Sequence, residues 1–392
     1  MSERILPILG DLIAFDTTSR NSNLELIEYI GAWLDRRGVA PELTYDDDRR
    51  KANLFANLGP AGRPGVVLSG HTDVVPVDEQ EWSSDPFRAE VREDRLYGRG
   101  SADMKGFVAA CLAMTDEILQ ADLAIPVHFS FSYDEEVGCL GIRRLLEQLL
   151  RRPLRPLACI VGEPTGMQMV RAHKGMLAKR CHVHGSPCHS SLPEQGVNAV
   201  DYAAELVTRI RAMAERRRRE GPFDPAFDPP TTTLHTGLIH GGTAINIVPE
   251  NCWFDFEIRN LPNDDPRALF SELEGYAQGE LLRSMRAVSD RSRIEWETLT
   301  EFPGLDTDEQ APVATLVRRL LGADEPSGKV SYGTEAGIFA ESGIPAVICG
   351  PGHIEQAHRA DEHVALEQLE RCETLISSLI DGLRDPSLER LL

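Results

Sequence analysis

VVLSGHTD, at residues 66–73, joins a short β-branched run to a histidine and an aspartate, and this junction decides the fold. The run is bounded by glycine and is too short for a helix, so it predicts a buried strand. Three further runs share this pattern and are also predicted to be buried strands. They occupy residues 127–133, 158–161 and 345–349.

Histidines and acids stand at or beyond the ends of such runs. In an open parallel sheet, ligands bind in the crevice outside the carboxyl ends of the strands, so residues far apart in sequence converge there. A shared pocket of imidazoles and carboxylates is typical of a two-metal hydrolase. The candidate metal ligands are His71, Asp103, Glu136, Glu163 and His358.

Length and charge limit the classes of protein to consider. A chain of 392 residues exceeds one ordinary hydrophobic core, so two domains are expected. The formal net charge of -21 argues against nucleic-acid and anionic-membrane partners, because either would require a clustered basic face. The same charge is compatible with a cationic small molecule as substrate.

Cysteine usage and hydropathy indicate a cytoplasmic protein. The eight cysteines include no CxxC pair, and the first residues, MSERILPILGDL, lack a basic leader followed by a signal-like apolar core. No apolar run approaches the ~18 residues that a membrane-spanning helix requires. We therefore expect reduced thiols, a cytoplasmic location and no membrane partner.

The order of predicted elements divides the chain into three segments. Helical and strand patterns alternate up to about residue 176 and again from residue 301, which predicts an α/β domain with a mostly parallel sheet. Residues 177–300 instead show the βαββαβ order of a ferredoxin-like α+β module. We expect residues 1–176 and 301–392 to form one domain and residues 177–300 to be inserted into it.

The HTD motif at 71–73 is a weak signal by itself. His71 and Asp73 are two residues apart and so lie on the same side of an extended segment, where the aspartate could hold the second ring nitrogen. A capping aspartate beside a surface histidine is the commoner explanation of such a pair. The position directly after a buried strand favours the metal site.

The segment GRGSADMKG, at 98–106, places Asp103 just before a predicted helix. A phosphate-binding loop is the rival interpretation, but the segment lacks both the GK[ST] ending and the GxGxxG spacing. A helix-capping aspartate is the simpler alternative. The metal interpretation of Asp103 therefore depends on the other motifs.

The acids DEE, at 134–136, follow the predicted strand 127–133. Adjacent carboxylates repel one another unless a cation or a proton intervenes, so a metal ion would stabilise them. One acid could then bind metal while its neighbour moves protons. A solvated acidic loop is the alternative.

GEPTG, at 162–166, supplies Glu163, and EQAHRADEH, at 355–363, supplies His358 and a second histidine, His363. Either histidine could be a surface residue, so the argument depends on the whole set. An oxygen-rich set with two histidines suits Zn²⁺ or a related divalent ion, with ~3.5–4 Å between the metals of a two-metal site. Amide or peptide hydrolysis is the expected chemistry.

Five motifs occur in order along nearly the whole chain: SGHTDVVP, LYGRGSADMKG, DEEVG, GEPT and AHRADE. Together they resemble the cocatalytic-zinc aminoacylase and carboxypeptidase family. Within it, EPTGMQMVRAHKG, GSPCHSSLPEQGVNA, LIHGGTAINIVP, YGTEAGIF and IEQAH are similar to the branch that deacetylates N2-acetylornithine in arginine biosynthesis. The resemblance implies a small N-acyl amino acid as substrate and a homodimer formed through the inserted domain, which would also act as a lid.

The resemblance implies two divalent ions that share one carboxylate, with Zn²⁺ expected and Co²⁺ as the alternative. Asp73 would orient the first histidine, and Glu135 would be the general base. His363 is left without a metal role. One ion would be held by His71, Asp103 and Glu163, and the other by Asp103, Glu136 and His358.

Residues of the inserted segment, and two residues after it, match the substrate contacts of the family that the chain resembles. His189 matches a residue that reaches across a dimer to stabilise the developing oxyanion. Arg259 could equally form a salt bridge at a strand end. Phe107 departs from the family, in which many members have glycine after DMKG. The expected contacts to the substrate carboxylate and the lid are Asn246, Arg259, Gly333 and Thr334.

Several other functions remain open. Another deacylase, acting on succinyl-diaminopimelate or acetylcitrulline, or a dipeptidase, would have the same metal site and a different pocket. A non-catalytic metal-loaded binding protein is a further alternative, although it would not need the spare carboxylate of Glu135. A serine hydrolase is disfavoured because the chain contains no GxSxG motif.

Overall fold

The computed structural model describes residues 4–322 and 327–390. Contacts divide the chain into two compact units, which we call the main unit and the inserted unit. The main unit comprises Met1–Ala172, Leu305–Gly328 and Thr334–Leu392, and the inserted unit comprises His173–Gly304 and Lys329–Gly333. The inserted unit covers the segment 177–300 that was expected to form a separate domain.

The first part of the main unit alternates helices with short strands. Its helices bury one apolar face; for example, α2 buries Leu26, Ile27, Ile30 and Leu34, at the spacing of an amphipathic helix. The elements are α1 (Ile5–Ile13), α2 (Leu24–Asp35), β1 (Glu42–Tyr45), β2 (Ala52–Leu58), β3 (Val66–His71), β4 (Glu90–Arg92), β5 (Arg95–Tyr97), α3 (Lys105–Ala113), α4 (Thr115–Gln120), β6 (Val127–Ser132), α5 (Leu140–Leu149), β7 (Ala158–Val161) and β8 (Val170–His173).

The inserted unit contains a four-stranded antiparallel sheet with three α-helices. Its elements are β9 (Gly175–His184), α6 (Ala199–Glu220), β10 (Thr233–Gly241), β11 (Asn251–Asn260), α7 (Pro266–Tyr276), α8 (Leu282–Val288) and β12 (Arg293–Phe302). The strand order β10-β11-β9-β12 confirms the predicted ferredoxin-like module. Alternate residues of β11, including Phe254 and Phe256, are buried, as expected for a sheet with one face against helices.

The chain then returns to the main unit. The remaining elements are β13 (Leu305–Asp306), α9 (Pro312–Leu321), β14 (Gly328–Val330), α10 (Ala336–Glu341), β15 (Ala346–Ile348), β16 (His363–Ala365) and α11 (Leu366–Gly382). Of these, β14 lies mostly in the inserted unit, which includes Lys329–Gly333. Eight strands of the large sheet follow the order β1-β2-β6-β3-β7-β15-β8-β13, while β16, β5 and β4 form a separate small sheet.

The centre of the large sheet is parallel. β3 pairs in parallel with β6 and β7, and β15 pairs in parallel with β7. These four strands are buried along their whole length, which is typical of a parallel sheet covered on both faces. His71 lies opposite Ser132 and Ser69 lies opposite Val161, so the strands end at a common edge.

The predicted α/β class is confirmed, and the structure adds detail at the edges of the sheet. β1, β2 and β8 pair antiparallel with their neighbours, so the parallel arrangement holds for the centre alone. The single helix predicted after Asp103 is divided into α3 and α4, and Thr115 donates its hydroxyl hydrogen to the carbonyl of Leu112 at this break.

The eight cysteines are free thiols, and seven of them are buried. This agrees with the expectation of reduced cysteines. Within the described ranges, the helices are too short or too polar to pass through a bilayer.

Candidate metal centre

The five predicted ligands of the main unit converge at the carboxyl ends of the parallel strands. His71 is the last residue of β3, Glu136 lies in the loop after β6, and Glu163 follows β7 by two residues. Asp103 precedes α3, and His358 lies in the segment between β15 and β16. Because β6, β3 and β7 are neighbours in the sheet, Glu136, His71 and Glu163 lie side by side.

Asp103 lies at the centre of the cluster. Its Oδ1 is 3.0 Å from Nε2 of His71, and its Oδ2 is 3.3 Å from Nε2 of His358. Oε1 of Glu163 lies 3.9 Å from Nε2 of His71, and Oε2 of Glu136 lies 3.1 Å from Nε2 of His358. Each oxygen of Asp103 therefore faces a different histidine, and each histidine also lies near a further acid.

The donor atoms are close enough to share a cation. His71 with Asp103 and Glu136, and His71 with Glu135 and Glu163, each offer ligand atoms within 4.8 Å of one another. The side chains of Asp103, Glu136 and Glu163 are no more than 8% exposed. Several buried carboxylates beside two imidazoles give surplus negative charge, and divalent cations neutralise such a set. The residues therefore fit a metal centre.

The acids of the cluster do not ionise easily without a cation. Burial and the charge of Asp103 raise the pKa of Glu136 to about 7. Burial and the surrounding carboxylates also raise the pKa values of Glu135 and Glu163 well above the usual range. In contrast, hydrogen bonds from His358 and His71 overcome the effect of burial and hold the pKa of Asp103 low.

The two histidines respond to the same negative charge. Hydrogen bonds to Asp103 and Glu136 raise the pKa of His358 to about 10. Burial opposes the charged form of His71, but the hydrogen bond to Asp103 and the charge of Glu163 raise its pKa overall. The negative charge of the cluster therefore favours the protonated form of both rings when no metal ion is bound.

Asp73 contacts His71 differently from the prediction. The backbone carbonyl of Asp73 lies 2.9 Å from Nδ1 of His71, whereas the nearest carboxylate oxygen is 3.7 Å away. The carboxylate instead accepts the backbone N–H groups of Glu135 and Glu136, at 3.1 and 3.3 Å, and the Ser19 hydroxyl at 2.7 Å. Asp73 therefore holds the loop that carries the two acids.

Glu135 lies half-buried next to the candidate ligands. The thiol of Cys139 lies 3.4 Å from its Oε1 and donates a weak hydrogen bond to it. Glu135 also lies within reach of His71 and Glu163. Since these distances suit a ligand as well as a proton carrier, the role of Glu135 belongs to the proposal below.

The predicted substrate contacts are divided between the two units. His189 and Asn246 are exposed in the inserted unit, and Nδ1 of His189 lies 2.7 Å from Oγ of Ser191. Arg259 of the same unit pairs with Glu257 on its own strand, which is the strand salt bridge left open by the sequence. The remaining two predicted contacts are Gly333 of the inserted unit and the buried Thr334 of the main unit.

His363 lies outside the cluster formed by the five ligands. Its Nδ1 hydrogen-bonds with the carbonyl of Asp361 at 3.1 Å, and its ring packs on Tyr97 with 4.9 Å between centroids.

Sequence reasoning missed one buried acid beneath the cluster. Glu335, immediately before α10, accepts hydrogen bonds from Ser132 and Ser69, which stand on β6 and β3. It belongs to the motif YGTEAGIF, but an acid at the start of a helix is usually a surface residue. Only the tertiary fold distinguishes this acid from such a residue.

The family model described as peptidase family M20/M25/M40 matches residues 67–382. The acetylornithine deacetylase of Proteus mirabilis is 35% identical over 94% of this chain and 92% of its own length. The acetylornithine deacetylase of Myxococcus xanthus is 36% identical over 95% of each chain.

Solved structures share the fold at low sequence identity. An M20 family metallo-carboxypeptidase from Sulfolobus solfataricus aligns with a TM-score of 0.76 at 18% identity, over 98% of this chain and 100% of the other. A tripeptidase from Staphylococcus aureus aligns with a TM-score of 0.73 at 20% identity, over 100% and 99% of the two chains. At these identities, the likeness is one of fold.

Proposed function

The chain belongs to the peptidase family M20/M25/M40, and we propose that it removes acetate from N2-acetylornithine, giving ornithine in arginine biosynthesis. The observation that carries the proposal is the near full-length similarity, at 34–36% identity, to acetylornithine deacetylases from several bacteria. The clustered acids and histidines supply the chemistry that such a hydrolase requires. The eight free thiols support a reducing compartment, and we place the enzyme in the cytoplasm.

The metal centre would hold two divalent ions. Zn²⁺ is the expected ion, and Co²⁺ is the alternative. When bound, they would supply Lewis-acid activation of a water molecule and polarisation of the acetamide carbonyl. Asp103 is suited to the shared position because its two oxygens face different histidines. The first proposed set is His71, Asp103 and Glu163, and the second is Asp103, Glu136 and His358.

Glu135 is the proposed general base. It would accept a proton from the attacking water and return it to the departing amine. Burial raises the pKa of this carboxyl, which favours a group that holds a proton between the two steps. Asp73 and Cys139 fix its loop and its carboxylate, so the proton-carrying oxygen is held in a defined place.

The inserted unit is the proposed source of the remaining substrate contacts. His189 would stabilise the oxyanion, and Ser191 already holds the opposite nitrogen of its ring. Asn246 and Arg259 of this unit, with the backbone of Gly333 and Thr334, would bind the substrate carboxylate and form lid contacts. Arg259 must then leave or share its partner Glu257 when substrate binds.

The inserted unit is also the proposed dimer interface. β10 lies at one edge of its sheet, and Leu238 and Ile239 on this strand are 51% and 48% exposed. Ile245, in the loop that follows, is 99% exposed. An exposed apolar edge strand pairs readily with another chain, which supports a homodimer.

A substrate panel tests the proposed specificity. The metal-reconstituted protein would be assayed on N2-acetylornithine, succinyl-diaminopimelate, acetylcitrulline and small dipeptides. We expect the highest kcat/KM on N2-acetylornithine. A higher value on another amide would assign the chain to a related deacylase or dipeptidase, and hydrolysis of none would favour a binding protein.

A further inference from the structure

A buried ion pair lies between the two segments that carry Asp103 and His358. Nη1 of Arg99 is 2.6 Å from Oε2 of Glu362, and both side chains are only 1% exposed. The antiparallel pairing of β5 with β16 brings these residues together, because Arg99 follows β5 and Glu362 precedes β16. Pairing within the small sheet therefore brings the two charged residues into contact.

The carboxylate of Glu362 holds the segment of the shared ligand. Its second oxygen, Oε1, accepts the backbone N–H groups of Ala102 and Asp103 at 2.9 and 3.0 Å. A charged acceptor makes stronger hydrogen bonds than a neutral one, so these bonds fix the backbone from which the Asp103 carboxylate extends.

The guanidinium of Arg99 holds the segment of the second histidine. It donates to the carbonyl of Arg359 at 3.3 Å and to Oε1 of Gln80 at 2.7 Å. Nε2 of Gln80 in turn donates to the carbonyl of His358 at 3.1 Å. The side chain of His358 is 53% exposed, so packing alone constrains it little, and these bonds supply much of its restraint.

From this network we infer that Arg99, Glu362 and Gln80 are positioning residues that hold Asp103 and His358 at the separation required by the second ion. The inference rests on the proposed metal centre and goes beyond it, because none of the three touches a ligand side chain. A buried ion pair is weak support for a purely stabilising role, since well-packed apolar residues often stabilise as much. Here, in contrast, the pair is bonded on both sides to ligand-bearing backbone.

Gln80 offers the sharpest test because it is only partly buried and its substitution should leave the fold intact. Gln80→Glu keeps an oxygen for Arg99 but cannot donate to the carbonyl of His358. Gln80→Ala removes both bonds. Glu362→Gln weakens the pair at its centre, and Arg4→Met is a matched control, because Arg4 pairs with Glu117 and Glu373 on helices without candidate ligands.

The measurement is titration of Co²⁺ into chelator-treated protein, followed by calorimetry and by the visible spectrum of the bound ion. We expect the weaker of two binding events to lose about 10- to 100-fold in affinity in Gln80→Glu, Gln80→Ala and Glu362→Gln. In the Gln80 variants, the affinity of the tighter event and the thermal midpoint should be unchanged. In Arg4→Met, both events should be unchanged. The spectrum of the weaker site should broaden or shift, which a purely structural role would not produce.

The possible results separate this inference from the proposed function. If both Gln80 variants bind two Co²⁺ ions with wild-type affinities and spectra, the positioning role is wrong, whatever the substrate. If the wild-type protein binds two ions and the Gln80 variants lose the weaker one, the positioning role holds, even where N2-acetylornithine is not hydrolysed.

Discussion

Glu135 and Glu136 are adjacent in sequence and have different proposed tasks, so substitution at each should have a different result. Glu135→Gln keeps the size of the side chain and removes the proton acceptor. We expect kcat to fall by about 10²–10⁴-fold, because this is the usual contribution of a general base. Metal content, measured by elemental analysis, should remain that of the wild-type protein.

Glu136→Gln is the matched comparison for this substitution. Loss of a proposed ligand should reduce the metal content as well as the turnover. Wild-type activity in Glu135→Gln would contradict the assigned base, and loss of metal from that variant would make Glu135 a ligand.

Glu335 should make stability depend on pH. Burial raises its pKa from 4.5 to about 7, although the Ser132 hydrogen bond favours the charged form. Between these two values the folded chain keeps a proton that the unfolded chain releases, so stability falls as pH rises. In chelator-treated protein, Glu335→Gln should therefore gain about 2–3 kcal/mol relative to wild type between pH 5 and pH 8.

Urea unfolding at a series of pH values measures this difference. Glu341→Gln, which changes an exposed glutamate at the end of α10, is the control and should keep the wild-type slope. Equal slopes in wild type and Glu335→Gln would show that Glu335 is not responsible for the pH dependence.

At the scale of single elements, the strands that end at the metal centre were predictable, whereas the contacts of Asp73 and Glu335 were not. The four buried runs are short, apolar and bounded by glycine or proline, and each forms a strand close to its predicted limits. The carboxylate of Asp73 bonds to backbone 62 and 63 residues away in sequence. Local patterns cannot indicate such partners, because they arise only when separate loops meet.

The junction of β7 with α3 depends on a match between glycine and phenylalanine. A Cβ atom at Gly162 would lie 2.0 Å from the ring of the buried Phe107. Gly162→Ala should therefore destabilise the fold by about 1–3 kcal/mol or more, and Phe107→Ala by about 3–5 kcal/mol through a cavity. In the double variant, the new methyl group would occupy part of that cavity.

Denaturant unfolding of the single and double variants measures their coupling. We expect the double variant to lose less stability than the sum of the two single losses, by more than about 1 kcal/mol. Strict additivity would mean that the two residues do not compete for the same space.

At the scale of the whole molecule, motif order in the sequence predicted the α/β class, the ferredoxin-like insertion and the membership of the family. The motifs also predicted five metal ligands, and the fold brings these five side chains together. The ion pair of Arg99 and Glu362 could not be predicted from motif order. The strands that bring these residues together, β5 and β16, are three residues long and far apart in sequence. Strands this short leave little periodicity in a sequence.

The proposed homodimer gives a prediction about the two edges of the inserted sheet. Ile239→Lys introduces a charge on the exposed edge strand β10 and should convert the dimer into monomers. Leu299→Lys on β12, the opposite edge, is the control and should leave the dimer intact, since Leu299 is also partly exposed, at 39%. Light scattering after gel filtration distinguishes the two masses; a dimer that persists in Ile239→Lys would exclude β10 as the interface.

The most direct test of the central claim is hydrolysis of N2-acetylornithine during stepwise addition of Zn²⁺ to chelator-treated protein. The converging imidazoles and carboxylates predict no turnover without metal and a rise to a plateau as two ions bind per chain. Turnover that is independent of metal, or absent at every loading for the whole substrate panel, would contradict the claim.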